Sequence, residues 1–316
     1  MINKRALLFP GQGSQHIGMG LELNNTFAEA KEVFLLVDEI LKQKLSTIMF
    51  HGESEELTLT SNAQPAIMAV SLAVMAVLEK QLELKIEDLC SVAAGHSLGE
   101  YSALAASGVL SLEDTAKLLR IRGDSMQMAV KPGDGAMAAL IGSTLESASA
   151  LCESVSYNHI CQIANDNGAG QIVISGAAKA IDKAIENVSE FGIKKAIKLK
   201  VSAPFHSPLM KPASIAMSNA LENMILHKSK IDVIANFNVT THTPETTRKL
   251  LVDQIAGSVK WRETMDKMHN EYGVNHFIEA GPGQVLTGIA KRMYHNVNIF
   301  NLHTPQNIEE FSAILR

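Results

Sequence analysis

Asp88-Leu89-Cys90-Ser91-Val92-Ala93-Ala94-Gly95-His96-Ser97-Leu98-Gly99-Glu100 reads as a buried strand delivering a glycine-flanked serine straight into a helix that begins near Glu100. A continuous apolar run of this length, ended by a glycine, is expected of a strand covered on both faces, as in a parallel sheet. Upstream, Ala6-Leu7-Leu8-Phe9 has the same character and stops at Pro10-Gly11-Gln12-Gly13, a second strand ending in a glycine turn. Between the two, apolar residues recur at helical spacing from Ala28 to Leu41 and from Gln64 to Leu82, so strands alternate with helices. Downstream, Leu112 to Met128 is helical by pattern, with Ser111 as its N-cap and Glu113 and Asp114 suiting the positive end of the helix dipole.

Pro132-Gly133-Asp134-Gly135 breaks this rhythm. The pattern then predicts strands at Ala136 to Ile141, Ile160 to Asn165, Gln171 to Ser175 and Ile193 to Val201, with helices at Leu145 to Val155 and Ala178 to Phe191. That order, βαββαβ, is the ferredoxin-like split βαβ unit. The expected fold is therefore α/β: a large, discontinuous domain with a parallel sheet, from residues 1–129 and 201–316, carrying an inserted ferredoxin-like domain at 130–200. The cleft between them is the expected place for chemistry.

The chain has 316 residues, 46% of them hydrophobic, enough for a sizeable core. A net charge of −5 and 5% aromatic content offer neither the basic field nor the stacking surface of a nucleic-acid binder. Cys90, Cys152 and Cys161 form no CxxC and have no histidine at metal-ligand spacing, so reduced thiols, a cytoplasmic location and no metal site are expected. Met1-Ile2-Asn3-Lys4-Arg5 is followed by too short an apolar run for a signal peptide. The apolar stretch Ala66 to Leu78 falls short of the about 20 residues that cross a bilayer, and reads as a core helix rather than a membrane span. No exposed apolar stripe stands out, so a monomer is expected.

Gly95-His96-Ser97-Leu98-Gly99 fits G-x-S-x-G between a strand and a helix, the context of a nucleophile elbow and of an α/β-hydrolase-like large domain. Ser97 Oγ would stand above the strand, with the Leu98 amide and the helix dipole facing a developing oxyanion. The pentapeptide alone also describes a plain βα turn. A serine needs a base, and His206 in Pro204-Phe205-His206-Ser207-Pro208 is the best placed of 11 histidines, although spacing alone does not bring it to Ser97 and a surface histidine fits as well. At Phe9-Pro10-Gly11-Gln12-Gly13-Ser14-Gln15 the dinucleotide fingerprint fails, because its third glycine would stand at His16. That turn could aim the Gln12 amide into the site as a second oxyanion donor, or be a turn without a ligand.

Taken together, these segments resemble the malonyl-CoA:acyl-carrier-protein transacylase family. The likeness runs through the Phe9–Gln15 turn, Gln64-Pro65-Ala66, Gly95 to Leu104, Arg122-Gly123, Gln171 to Gly176, Pro204 to Met210 and Glu279-Ala280-Gly281-Pro282-Gly283, in one order. The resemblance implies Ser97 as nucleophile, His206 as general base and acid, the Gln12 and Leu98 amides as the oxyanion hole, and the backbone carbonyl of Gln254 in place of a triad carboxylate. It implies that Arg122 grips the free carboxylate of malonate, a task suited to a planar guanidinium. Arg120, two residues away, would face solvent on another side of the helix. Phe205 and Leu98 match the malonyl-selective pattern, while His96 and Gln64 would border the substrate. Gly170 departs from a proline common near this position. The implied substrate is malonyl-CoA and the implied partner an acyl carrier protein. An acidic carrier calls for a basic rim, for which Lys291 and Arg292 are candidates, as are Lys194, Lys195, Lys198 and Lys200; a solvated charged face is the plain alternative. No metal or redox cofactor is needed.

Three other readings stand beside this one. A serine hydrolase of the α/β type shares the elbow but should show an acidic partner for its histidine. A free-standing acyltransferase could serve a polyketide synthase. A non-catalytic carrier-binding module would have no use for Ser97, His206 and Arg122 together.

Overall fold

A computed structural model describes residues 4–157 and 159–315. Met1, Ile2 and Asn3, on which the reading of the N-terminus partly rests, lie outside the described residues.

Among the described residues, nine strands form two sheets: β1 Arg5–Phe9, β2 Val92–Gly95, β3 Gly135–Ile141, β4 Cys161–Asp166, β5 Gln171–Ala177, β6 Lys195–Lys198, β7 Asp232–Val233, β8 His276–Ala280 and β9 Asn298–Leu302. The first sheet has the order β7-β2-β1-β8-β9 and every pairing in it is parallel. Its central strand, β1, is wholly buried, as the unbroken apolar run requires. The chain leaves β1 toward β2 on one side and later fills the other side with β8. The strand order therefore reverses at β1, whose carboxyl end, beside that of β2, opens on a topological switch point, where α/β sheets place ligands.

The second sheet, with order β4-β5-β3-β6, is antiparallel and is built from residues between Gly135 and Lys198. Its side chains alternate with period two. Ala136, Ala138 and Leu140 of β3 pack with Ile172 and Ile174 of β5 against the helices Leu145–Val155 and Ala178–Asn187. Met137, Ala139 and Val173 on the opposite face join the main core and the wall of the central cleft.

Several boundaries differ from the sequence expectation. Asp88 and Leu89 lie in a helical turn, Ile86–Leu89, and β2 begins only at Val92. The helix expected from Gln64 starts at Thr60 and takes in Pro65 in its second turn, where the missing N–H forgoes the bond to Ser61 O. It runs 23 residues to Leu82, so it is long and apolar enough to cross a membrane, contrary to the length inferred from Ala66 to Leu78. It packs inside the protein, however, with 89% of its most apolar window buried. The helix from Ala178 gives way to a 3-10 turn at Val188–Phe191, and the strand expected over residues 193–201 pairs only as Lys195–Lys198.

Candidate active site

Ser97 sits between β2 and the Gly99–Ala106 helix with φ 54°, a left-handed conformation that costs a non-glycine residue of order 1–3 kcal/mol. The flanking glycines do not carry this turn. They permit close approach: a Cβ on Gly95 would meet Gly99 O at 1.8 Å, and one on Gly99 would meet Phe9 O at 2.2 Å. The serine is held in its strained state from behind, where its amide donates to Asn236 Oδ1 at 2.7 Å and Asn236 Nδ2 donates to Gly95 O at 2.8 Å.

Ser97 Oγ lies 2.7 Å from His206 Nε2, across a separation of 109 residues. His206 also has a positive φ, 55°, and its Nδ1 faces two backbone carbonyls, Gln254 O at 2.9 Å and Gly257 O at 3.1 Å. Carbonyls only accept, so Nδ1 carries the proton and Nε2 offers its lone pair to the serine. Burial and the nearby Arg122 charge push the His206 pKa down to about 3. The ring is therefore neutral and competent as a base far below the ordinary histidine range, and the acid limb of kcat/KM should fall well below the unperturbed value of about 6.5. A pH profile of kcat/KM checks this; a limb near that unperturbed value would show that the site does not desolvate the ring. The sign for stability runs the same way: the unfolded chain binds a proton here below about pH 6.5 that the folded chain refuses, so acidification through that range costs stability.

Arg122, 1% exposed on the Leu112–Met128 helix, is the other focus of the site. Its guanidinium donates to Gln64 Oε1 at 2.8 Å, to Gln254 Oε1 at 2.8 Å and to Ser97 Oγ at 3.1 Å, and lies over the Tyr101 ring at 5.6 Å. Its Nε has no partner, and among the described residues no carboxylate forms a salt bridge with it. A buried cation with no carboxylate in contact is costly unless an anion arrives to meet it. Arg120 is not the freely solvated neighbour that its position suggests: it is half-buried and bonded to Asn62 Oδ1 and Gln43 Oε1.

These groups border one cavity of about 350 Å³. Gln12, Gln64, His96, Ser97, Leu98, Arg122, Phe205 and His206 all line it, and Gln254 stands behind them. No intrachain acceptor takes the Gln12 or Leu98 amide among the described residues, which leaves both free for an oxyanion. His96 Nε2 is 2.9 Å from Asn167 Oδ1, and its ring is 5.4 Å from that of Trp261. Burial, partly offset by the Asn167 bond, holds its pKa below the ordinary value. Lys291 and Arg292 are exposed and outside the cavity, on a helix whose Val285, Leu286 and Ile289 form part of the wall; Arg292 donates to Gln171 Oε1 at 3.2 Å. Among the lysines of the 194–200 segment, Lys200 borders the cavity and Lys198 pairs with Asp182.

Three contributors carry no sequence signal. Asn236 follows a two-residue strand, and nothing local marks it. Gln162 donates to His206 O at 2.8 Å and to Ala256 O at 3.1 Å, tying β4 of the small sheet to the loop that bears the histidine. The Gln254 side chain, as distinct from its carbonyl, donates to Ser97 O at 2.9 Å while accepting from Arg122. Around them β4 is stitched to the larger unit by the Asn165–Val259 bridge and the Arg262–Asp166 ion pair at 2.8 Å.

A strained serine on a neutral histidine, two unused amides and a buried guanidinium describe an acyl-transfer centre, and comparison with known proteins agrees. Residues 6–309 match the acyl transferase domain family. A malonyl CoA-acyl carrier protein transacylase of Bacillus subtilis is 44% identical over 310 residues, covering 98% of this chain and 96% of that protein. The chain belongs to the malonyl-CoA:acyl-carrier-protein transacylase family. Among solved structures, an acyl-carrier-protein S-malonyltransferase from Bartonella henselae superposes with a TM-score of 0.95 at 51% identity, over 98% of this chain and 99% of that one. A malonyl-transacylase solved in complex with its type II polyketide acyl-carrier protein superposes at 0.93 with 35% identity, over 98% and 99% of the two chains. These family members share both the parallel and the antiparallel sheet of the fold described above.

Proposed function

We propose that this chain transfers a malonyl group from malonyl-CoA to the phosphopantetheine thiol of an acyl carrier protein, through an ester on Ser97, to supply fatty-acid elongation. The observation that carries the reading is Arg122: a buried guanidinium without a carboxylate, one nitrogen 3.1 Å from Ser97 Oγ. An acyl chain ending in a carboxylate would meet that charge while its thioester carbonyl lies at the serine.

In the first half-reaction His206 Nε2 takes the Ser97 proton as Oγ adds to the thioester carbonyl, and the oxyanion is received by the Gln12 and Leu98 amides. Collapse expels coenzyme A thiolate, which takes the proton back from His206. In the second half the carrier thiol gives its proton to the same nitrogen, its sulfur attacks the ester, and Ser97 leaves as the restored alcohol. The Gln254 and Gly257 carbonyls keep the imidazole in the tautomer that both halves need. Phe205 and His96 border the acyl group, and Gln64 holds Arg122 from the cavity floor. The cycle balances without a metal or redox cofactor.

In fold terms, the reading is of a hydrolase-like catalytic domain, 1–129 and 201–316, with a ferredoxin-like insert at 130–200 whose sheet lines the acyl cavity. The protein is read as a cytoplasmic monomer. Its carrier docks beside the Val285–Met293 helix, where Lys291 and Arg292 meet an acidic surface. Reversing both charges should raise the KM for carrier several-fold and leave malonyl-CoA hydrolysis untouched; an unchanged KM removes this contact. The hydrolase reading is disfavoured by His206, whose ring meets two carbonyls where a carboxylate would be expected.

The deciding experiment follows radiolabelled malonyl-CoA with and without holo carrier. Label that appears on the protein and passes to the carrier supports the transfer. Free malonate released equally in both cases would make the protein a hydrolase.

A further inference from the structure

Behind the elbow lie a buried acid and a buried histidine for which the acyl-transfer cycle has no use. Glu100, second residue of the Gly99–Ala106 helix, is fully buried and does not line the cavity. Its carboxylate receives three donors: His242 Nε2 at 2.9 Å on Oε1, and the Asn236 amide at 2.8 Å and Gln254 Nε2 at 2.9 Å on Oε2. His242 is itself 4% exposed, and its Nδ1 is 3.2 Å from Thr247 Oγ1. That hydroxyl spends its single proton on Thr243 O at 2.7 Å, so it offers the ring only a lone pair. The carboxylate can only accept, so Nε2 carries the proton between them, and the buried ring, flanked by Thr247 on its other side, cannot turn that donor away.

The consequence runs through Gln254. Its amide nitrogen spends one N–H on Ser97 O and the other on Glu100 Oε2, which leaves its oxygen facing Arg122 at 2.8 Å. An amide flipped about its last torsion would set NH₂ against a guanidinium NH₂, donor against donor. The other donor to the same carboxylate oxygen belongs to Asn236, whose side chain holds the Ser97 amide.

We propose that the Glu100–His242 pair is a positioning device for substrate selection: it fixes which way the Gln254 amide faces and, through it, where the Arg122 guanidinium stands. The inference rests on reading Arg122 as the receptor for the acyl carboxylate. It makes Glu100 and His242 determinants of the preference for a carboxylated acyl group although neither touches the substrate.

The test compares kcat/KM for malonyl-CoA with that for acetyl-CoA in the intact chain, with Tm measured alongside. The variants are Glu100→Gln, His242→Leu and His242→Gln. The ratio of the two constants cancels the folded fraction, so a variant that merely loses stability leaves it unchanged. Glu100→Gln and His242→Leu should each lower the ratio about tenfold or more, the range for one hydrogen bond to a charged group, chiefly by raising the KM for malonyl-CoA. His242→Gln keeps an N–H for Glu100 and should recover most of the preference. An unchanged ratio in Glu100→Gln or His242→Leu overturns the proposal whatever happens to Tm. Insolubility of all three variants would also overturn it, by making the pair a requirement of folding alone. A wild-type protein with no malonyl preference would instead overturn the functional reading on which the inference rests.

Discussion

Ser97→Ala is expected to take up no malonyl label and to transfer to carrier about five to six orders of magnitude more slowly than the wild type. His206→Ala should cost nearly as much, and the double variant little more than either alone. The reason is geometric. Oγ and Nε2, 2.7 Å apart, form one functional unit, and removing either partner leaves only the oxyanion amides and binding to act. Single-turnover labelling with each variant measures this directly. Additive losses, multiplying in the double variant, would mean that the serine and histidine act in separate steps.

Arg122→Ala should reverse the acyl preference. Two charge-assisted hydrogen bonds to a carboxylate are worth about 1.5–3 kcal/mol each, so kcat/KM for malonyl-CoA should fall by at least about a hundredfold. Acetyl-CoA makes no such bonds, and its kcat/KM should hold or rise as the buried charge disappears. Arg122→Lys should recover little, because a point charge cannot replace a planar fork held by Gln64 and Gln254. Stability should change little in Arg122→Ala: the loss orphans two amide oxygens but also removes a buried cation that no carboxylate contacts. Equal losses for both thioesters would mean that Arg122 supports the serine and does not read the acyl group.

Much of this site could be read along the chain because its chemistry is local there. The elbow is contiguous: a buried strand, G-x-S-x-G and a helix start within 13 residues, and the positive φ of Ser97 follows from that junction. The alternation of elements also carried the two-sheet architecture, since period two and period 3.6 are properties of short windows. Errors gathered where windows are short or local preference yields to packing. The Thr60–Leu82 helix took in Pro65 near its start, and a helical turn occupied Asp88 and Leu89 where apolar character suggested strand.

The sequence by itself determined where β1 and β2 end, the nucleophile and the kind of side chains available near it, because each follows from covalent neighbours and hydrophobic period. Only the tertiary structure decided which distant groups complete the site. His206 reaches Ser97 across 109 residues; Asn236 and Gln254 come from 139 and 157 residues away; Gln162 arrives from the other sheet. Apart from the Ser97 hydroxyl that His206 meets, their partners are backbone carbonyls and amides, which every residue carries, so no residue type announces them. What makes these contacts specific is burial: with water excluded, each N–H and C=O must find the one partner that the packed fold leaves within reach.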